Sequence, residues 1–256
     1  MQTAIVPEIG PNQKRSSIWK RALLPVLSLW LAVILFLCPL AFAQPDPAAW
    51  VVNTLGETLS HVNLTTHQVN TNAVLLGSAP NDVAVQNGAA YVVNSLSNHV
   101  QVVDLASLQT IGTIEIYLGM NPYFIALDDQ NRAFVTNFVT GNVSILDLSS
   151  GLESDTLQIG GVPEGVCVAG GCLFVTDVNY QTTWGPGVLH AFSLQTLVHL
   201  GSITVGINPQ IVKLGPDGKL HVVCTGNFSD IFGQIDIIDP ASLTVETSIP
   251  IGESPG

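Results

Sequence analysis

The chain has 256 residues, 47% of them hydrophobic and only 10% charged, with 19 acidic side chains against seven basic ones and a net charge of −12. Ordinary domains carry about 25% charged residues, and a protein that tracks a nucleic-acid backbone needs a stripe of Lys and Arg to displace counterions. Seven basic residues cannot supply one, so neither nucleic acid nor an anionic membrane surface is an expected partner.

The first 43 residues read as an export signal. Lys14, Arg15, Lys20 and Arg21 precede the apolar run from Ala22 to Leu37, and Ala41-Phe42-Ala43 supplies the small residues of a cleavage site, so cleavage is expected before Gln44. The run is short of the roughly 20 residues that a spanning helix needs. No stable membrane span is therefore expected after cleavage, and the expected location is periplasmic or secreted. Leu35 and Cys38 also have lipoprotein-box spacing, which keeps a lipid anchor at Cys38 as the alternative, although Leu37 is large for the position before the cysteine. Removing 1–43 takes four basic residues and Glu8, leaving Arg132, Lys213 and Lys219 against 18 acidic groups.

From residue 44 onward the chain is organised by a repeat of about 42 residues. A Gly-x-x-Pro element recurs as Gly77-Pro80, Gly119-Pro122, Gly160-Pro163, Gly206-Pro209 and Gly252-Pro255. An apolar run ending in a short polar residue recurs at Asn53, Asn94, Asn137 and Asp177, with a degenerate copy at Cys224. A third landmark follows at Asn63, Asp104, Asp147, Ser193 and Asp239. Between the landmarks lie short alternating β-branched segments such as Val100-Gln101-Val102-Val103, which are strand signals. Asn87-Gly88, Gly170-Gly171 and Pro216-Asp217-Gly218 punctuate them as tight hairpins. No segment after Ala43 has a sustained helical period.

Units of 40 to 50 residues with four strands are the signature of β-propeller blades. The expected fold is all-β, a propeller domain over 44–256 with about five units near 50–79, 80–121, 122–162, 163–208 and 209–256. These landmarks resemble the YVTN-repeat family of bacterial and archaeal β-propellers. The resemblance covers Trp50 to Gly256 and is clearest at Asn94 with Ser95 and Ser97, at Val102-Val103-Asp104, and at Gly119-Met120-Asn121-Pro122. Asp177 and Cys224 in the Asn position, Ser193 in the Asp position and Asn63 in the first unit depart from it. The first unit begins at its second strand, which leads us to expect an incomplete ring, a fragment of a larger propeller, or self-association that completes the ring.

A side chain repeated in every unit is expected to do blade-level work. Asn53, Asn94 and Asn137 end a strand, where a short amide can bond the following backbone. Asp104, Asp147 and Asp239 precede turns whose amides a carboxylate can accept. Function is then sought where the repeat breaks. The spacing between second and third landmarks is 10 in the early units but 16 from Asp177 to Ser193 and 15 from Cys224 to Asp239. The inserted loops carry Tyr180 and Trp184, and Phe228, Asp230 and Phe232. Exposed aromatics among small polar residues suit a protein, peptide or glycan ligand; alternatively the rings fold down over the blade tops.

Cys167 and Cys172 flank a Gly-Gly turn and sit diagonally, at ~7 Å and the limit for a bridge. A Cys167–Cys172 disulfide, free thiols and a partner involving Cys224 all stay open. The six histidines are scattered singly, and no HExxH, GxSxG, Walker A or dinucleotide motif occurs. The favoured reading is a non-catalytic binding propeller without cofactors. The alternative is a lactonase-like or lyase-like propeller enzyme with a divalent cation in the central channel, for which Asp82 and Glu164 are the candidate carboxylates and Asn81, Asn121 and Asn208 the candidate amides.

Overall fold

The structure is a computed structural model that describes residues 47–180, 183–253 and Pro255. The export signal expected over 1–43, and Cys38 with it, lies outside the described residues. The short alternating segments fold as strands throughout, and no helix occurs among the described residues.

The first sheet has three strands, β1 (Ala48–Asn53), β2 (Thr58–Asn63) and β3 (Val69–Leu75). The second has four: β4 (Pro80–Gln86), β5 (Ala89–Asn94), β6 (His99–Asp104) and β7 (Gln109–Glu115). The third holds β8 (Pro122–Leu127), β9 (Arg132–Asn137), β10 (Asn142–Asp147) and β11 (Leu152–Gln158). The fourth is β12 (Pro163–Ala169), β13 (Cys172–Asp177), β14 (Pro186–Ser193) and β15 (His199–Ile207). The fifth is β16 (Pro209–Leu214), β17 (Leu220–Cys224), β18 (Gln234–Asp239) and β19 (Thr244–Pro250). Every pairing is antiparallel and every sheet runs in sequence order. The sheets are blades of a β-propeller, and the inner strands β4, β8, β12 and β16 pack side by side along its axis.

Apolar residues on both faces of a blade have somewhere to go because the next blade covers them. The cores accordingly lie between blades. Leu59 and Val74 of the first sheet meet Ala90, Val92 and Val103 of the second. Val93, Val100 and Ile114 meet Ile125, Val135 and Leu146. Phe134 and Ile145 meet Val166, Leu173 and Phe192, and Phe174 and Leu189 meet Val212, Val222 and Ile238. Phe134 and Phe174 are wholly buried, so truncating either to Ala costs about 3 to 5 kcal/mol.

Turn chemistry fixes the registers. Asn87-Gly88 and Gly170-Gly171 both have positive φ at two successive positions, as the tight hairpins between first and second strands require. The turns between third and fourth strands share a left-handed residue at the same place: His67, Leu108, Gly151, Leu197 and Leu243. Leucine tolerates that conformation poorly. Leu108, Leu197 and Leu243 nevertheless sit there because each packs its side chain on an inter-blade core.

Candidate functional site

The repeat landmarks form a polar row across each blade. Asn137 donates from Nδ2 to Ser144 Oγ at 2.8 Å, as Asn53 does to Ser60 Oγ at 2.8 Å and Asn94 to Gln101 Oε1 at 3.3 Å. The amides thus tie the second strand to the third by side chains, where the sequence suggested bonds to the following backbone. In the fourth blade the row reads Asp177, His190, Ser202, with His190 Nε2 at 3.9 Å from Asp177 Oδ2 and Nδ1 at 2.8 Å from Ser202 Oγ. That order of groups is the order of a hydrolase triad, but the equivalent positions of the fifth blade hold Cys224, Asp236 and Ser248, with Asp236 accepting from both neighbours. A row present in every blade is the blade's own cross-strand tie.

The same amides explain the glycine of Gly-x-x-Pro. A Cβ on Gly77 would stand 2.9 Å from Asn94 Cγ, and one on Gly119 would overlap the Asn137 side chain. In the fourth blade this place belongs to Gly161, which packs on Asp177, whereas the Gly160 singled out by spacing has open space around it and φ of 86°. Asn121 and Asn208, before their prolines, have φ of 58° and 56°. Asparagine is tolerated there, which accounts for their identity without a ligand. Asp104 Oδ1 accepts from Ser107 N, Asp147 Oδ1 from Ser149 N, and Asp239 Oδ1 from Ala241 N and Ser242 N. Lys219 Nζ adds a 2.7 Å ion pair to Asp239, and these partners hold the Asp239 carboxyl well below its ordinary value.

The loops between second and third strands share one end of the propeller with the Gly-x-x-Pro loops. The bonds Ser95 N to Ala79 O, Phe138 N to Asn121 O, Val178 N to Val162 O and Thr225 N to Asn208 O join them blade after blade. On this rim Tyr180 and Trp184 form an isolated bridge with ring centroids 4.8 Å apart, and Trp184 meets Phe228 of the next blade edge-on at 6.0 Å. Tyr180 is 48% exposed, Phe228 60% and Phe232 61%, while Trp184 is half-buried. Asn227 shapes the second loop: Oδ1 accepts from the amides of Ser229, Asp230 and Ile231, and Nδ2 donates to Asp230 Oδ1 at 2.7 Å. Asp230 is exposed and is used by its own loop. The shorter loops add Leu55, Leu96, Phe138 and Val139 to the exposed apolar residues.

Where the inner strands start, the residue after each proline is Asn81, Tyr123, Glu164 or Gln210. Asp82 uses both oxygens structurally, Oδ1 on Val83 N at 2.8 Å and Oδ2 on Ile125 N of the neighbouring blade at 3.1 Å. Burial raises its carboxyl against these bonds and against the Lys213 charge. Glu164 is different: it is 5% exposed, its Oε2 is buried without a partner, and among the described residues no hydrogen bond reaches its carboxyl. Burial lifts it to about 7, and burial together with the Glu164 charge pushes the Tyr123 hydroxyl up. Tyr123 in turn stacks obliquely on Phe138 of the rim, centroids 5.9 Å apart. Reading loop insertions alone misses Tyr123 and Phe138. The signal that finds Tyr123 is its place after Pro122, in column with Glu164 after Pro163.

A cation site needs several hard ligands. Among the described residues no three His, Cys, Asp or Glu side chains converge on one. Cys167, Cys172 and Cys224 are free thiols. Cys172 pairs with Ala169 and Cys167 with Phe174, a diagonal placement at the limit of disulfide reach, and the Cys167–Cys172 bridge is not formed.

No protein-family model matches the chain, and no curated protein matches it. Solved structures do. Hydrazine synthase of Kuenenia stuttgartiensis is 21% identical over 69% of this chain and 50% of its own, with a TM-score of 0.62. The dihydro-heme d1 dehydrogenase NirN, solved in complex with DHE, is 14% identical over 84% of this chain and 47% of its own, with a TM-score of 0.57. A functionally unknown protein from Desulfotomaculum acetoxidans DSM 771 is 16% identical over 79% of this chain and 66% of its own, with a TM-score of 0.63. The chain spans about half the length of the first two. At these identities the likeness is one of fold, and the fold is the β-propeller.

Proposed function

We propose that this chain is an exported, non-catalytic β-propeller of the YVTN-repeat kind that holds a protein, peptide or glycan partner on its loop rim. The observation that carries the reading is the ring contact from Tyr180 through Trp184 to Phe228, which crosses from one blade to the next with two of the three rings largely exposed. Large aromatics left in water on neighbouring rigid loops are costly to keep and useful mainly for binding, since they supply contact area with few rotors to freeze. The export signal expected over 1–43 supports a partner outside the cytoplasm, and the acidic balance of the remaining residues disfavours polyanions.

The test is capture of partners from periplasmic extract with the full chain and with the Trp184→Ala, Phe228→Ala double variant. The wild type is expected to retain a defined set of partners and the double variant to lose it. Capture that is unchanged by both substitutions overturns the reading.

A further inference from the structure

We propose that Glu164, at the start of β12, receives a lysine or arginine side chain presented by an extended segment of a partner protein. This rests on the rim reading above and narrows it from any macromolecule to a peptide segment with a basic residue.

The first ground is an exception in how this fold treats buried acids. Asp128 accepts from Gln130 N, Arg132 N and Arg132 Nε. Asp177 accepts from Val162 N and Asn179 N. Asp236 accepts from Gly206 N, Gln234 Nε2 and Ser248 Oγ. Even the partly buried Asp82 has an amide on each oxygen. Glu164 alone among these acids has no donor, with one oxygen wholly out of solvent. A buried carboxyl without a partner is destabilising. A chain that satisfies its other buried carboxylates so fully leaves this one for a donor from outside.

The second ground is what stands beside it. The Glu164 carboxyl acts on Tyr123, and Tyr123 and Phe138 form a tilted aromatic pair open to the rim, with Phe138 38% exposed. An anion near an aromatic pair favours an organic cation, which gains a charge-assisted hydrogen bond to the carboxylate and the quadrupole attraction of a ring. A compact hydrated metal ion gains little from the rings. The third ground is the apolar path. Exposed Leu96, Phe138 with Val139, Tyr180 and Phe228 lie one blade after another on this end, which suits a ligand that crosses several loops and carries apolar residues on either side of its charge. The excess of 19 acidic over seven basic side chains favours approach of a basic segment at long range.

The test uses acetylated, amidated pentapeptides of the form Phe-Gly-X-Gly-Phe, with X as Lys, Arg or uncharged norleucine, titrated into the full chain by calorimetry at pH 8. The Lys and Arg peptides are expected to bind at least tenfold more tightly than the norleucine peptide. Glu164→Gln is expected to bring all three to the norleucine value, and Glu164→Asp to keep part of the preference. Trp184→Ala weakens the three alike, because it removes apolar contact and leaves the charge. Equal binding of the three peptides to the wild type overturns the cation site and leaves the rim reading standing. A preference that survives Glu164→Gln overturns the assignment to this residue. Binding of none of the peptides overturns the proposal, while the capture experiment with Trp184 and Phe228 judges the rim by itself.

Discussion

The flank of a blade and its loop rim are built from the same residue types to opposite ends. On the flank, polar side chains are repeated and tied to one another, Asn137 to Ser144, His190 to Ser202, Asp236 to Gln234 and Ser248, although Asn94 Oδ1, Asn137 Oδ1 and His190 Nε2 are left without a partner. On the rim, side chains occur once and stand unpaired, as Glu164 does, or stand in water, as Tyr180, Phe228 and Phe232 do. Repetition in this chain therefore marks what holds the blade together. Singular residues mark where the chain accepts a local cost, and a cost retained without structural return is where an external partner is expected.

The sharpest way to break this division is to disturb the flank where it is tightest. Gly119 is buried against the Asn137 side chain, so Gly119→Ala must displace an amide that also bonds Asn142 and Ser144. A loss of about 3 kcal/mol is expected from the overlap and the broken polar row, read as a lower urea midpoint. Gly112 is the control, because it lies on β7 with open space at its Cβ position and without positive φ. Gly112→Ala is expected to be neutral or to stabilise by about 0.5 kcal/mol. Equal effects of the two substitutions would show that the repeat glycines are not tied to the amides.

The flank was legible in the sequence because its signals recur. Five copies of Gly-x-x-Pro and of the short polar landmark located the strands, and the Asp104, Asp147 and Asp239 side chains accept the turn amides that their position suggested. Which glycine of Gly160-Gly161 packs on Asp177 was not legible, since two adjacent glycines fit the spacing equally and only the backbone path separates them. Nor was the difference between Asp82 and Glu164. Asp82 follows its proline by two residues and Glu164 by one, and although the register shifts after the proline in both strands, only Asp82 reaches an amide of the next blade, that of Ile125. Satisfaction of a buried group is a property of its neighbours across the propeller, and composition does not encode it.

The rim should answer to pH through Glu164. Unfolded, Glu164 titrates near 4.5, and folded, near 7. Between those values the folded chain holds a proton that the unfolded chain has lost. The group's contribution to stability is therefore full below about 4.5, is lost as pH rises toward 7, and stays lost above it. Glu164→Gln removes the titration, so it should match the wild type near pH 4.5 and exceed it at pH 8 by up to about 3 kcal/mol at 1.36 kcal/mol per unit. Asp82 titrates upward too, and Asp177 downward because the nearby His190 and the amides of Asn179 and Val162 outweigh its burial. Both are common to the two proteins and cancel in the difference. A stability gap that does not change between pH 4.5 and 8 would place Glu164 among the satisfied groups after all. A stabilised Glu164→Gln also means that its loss of basic-peptide binding cannot be put down to unfolding.

The smallest expected effect concerns the thiols, which belong to the flank although they resemble a reactive site. Cys167 and Cys224 are buried in the core between the fourth and fifth blades, and Cys172 packs partly buried at its edge. Burial pushes both buried thiols up, helped at Cys224 by the Asp236 carboxylate 3.7 Å away. A thiol held protonated and out of water neither attacks nor exchanges. In full-length protein with Cys38→Ser, Ellman's reagent is expected to count three thiols after denaturation without reductant. In the native state Cys172 should react first, with Cys167 and Cys224 following only as fast as the blades open. A count of one in the denatured protein would mean that two of the three had bridged, and the strand pair β12–β13 would have to shift from the register that sets Cys167 opposite Phe174. Rapid native reaction at Cys224 would be the more damaging result, because it would open the flank of the fifth blade to the same solvent that reaches the rim.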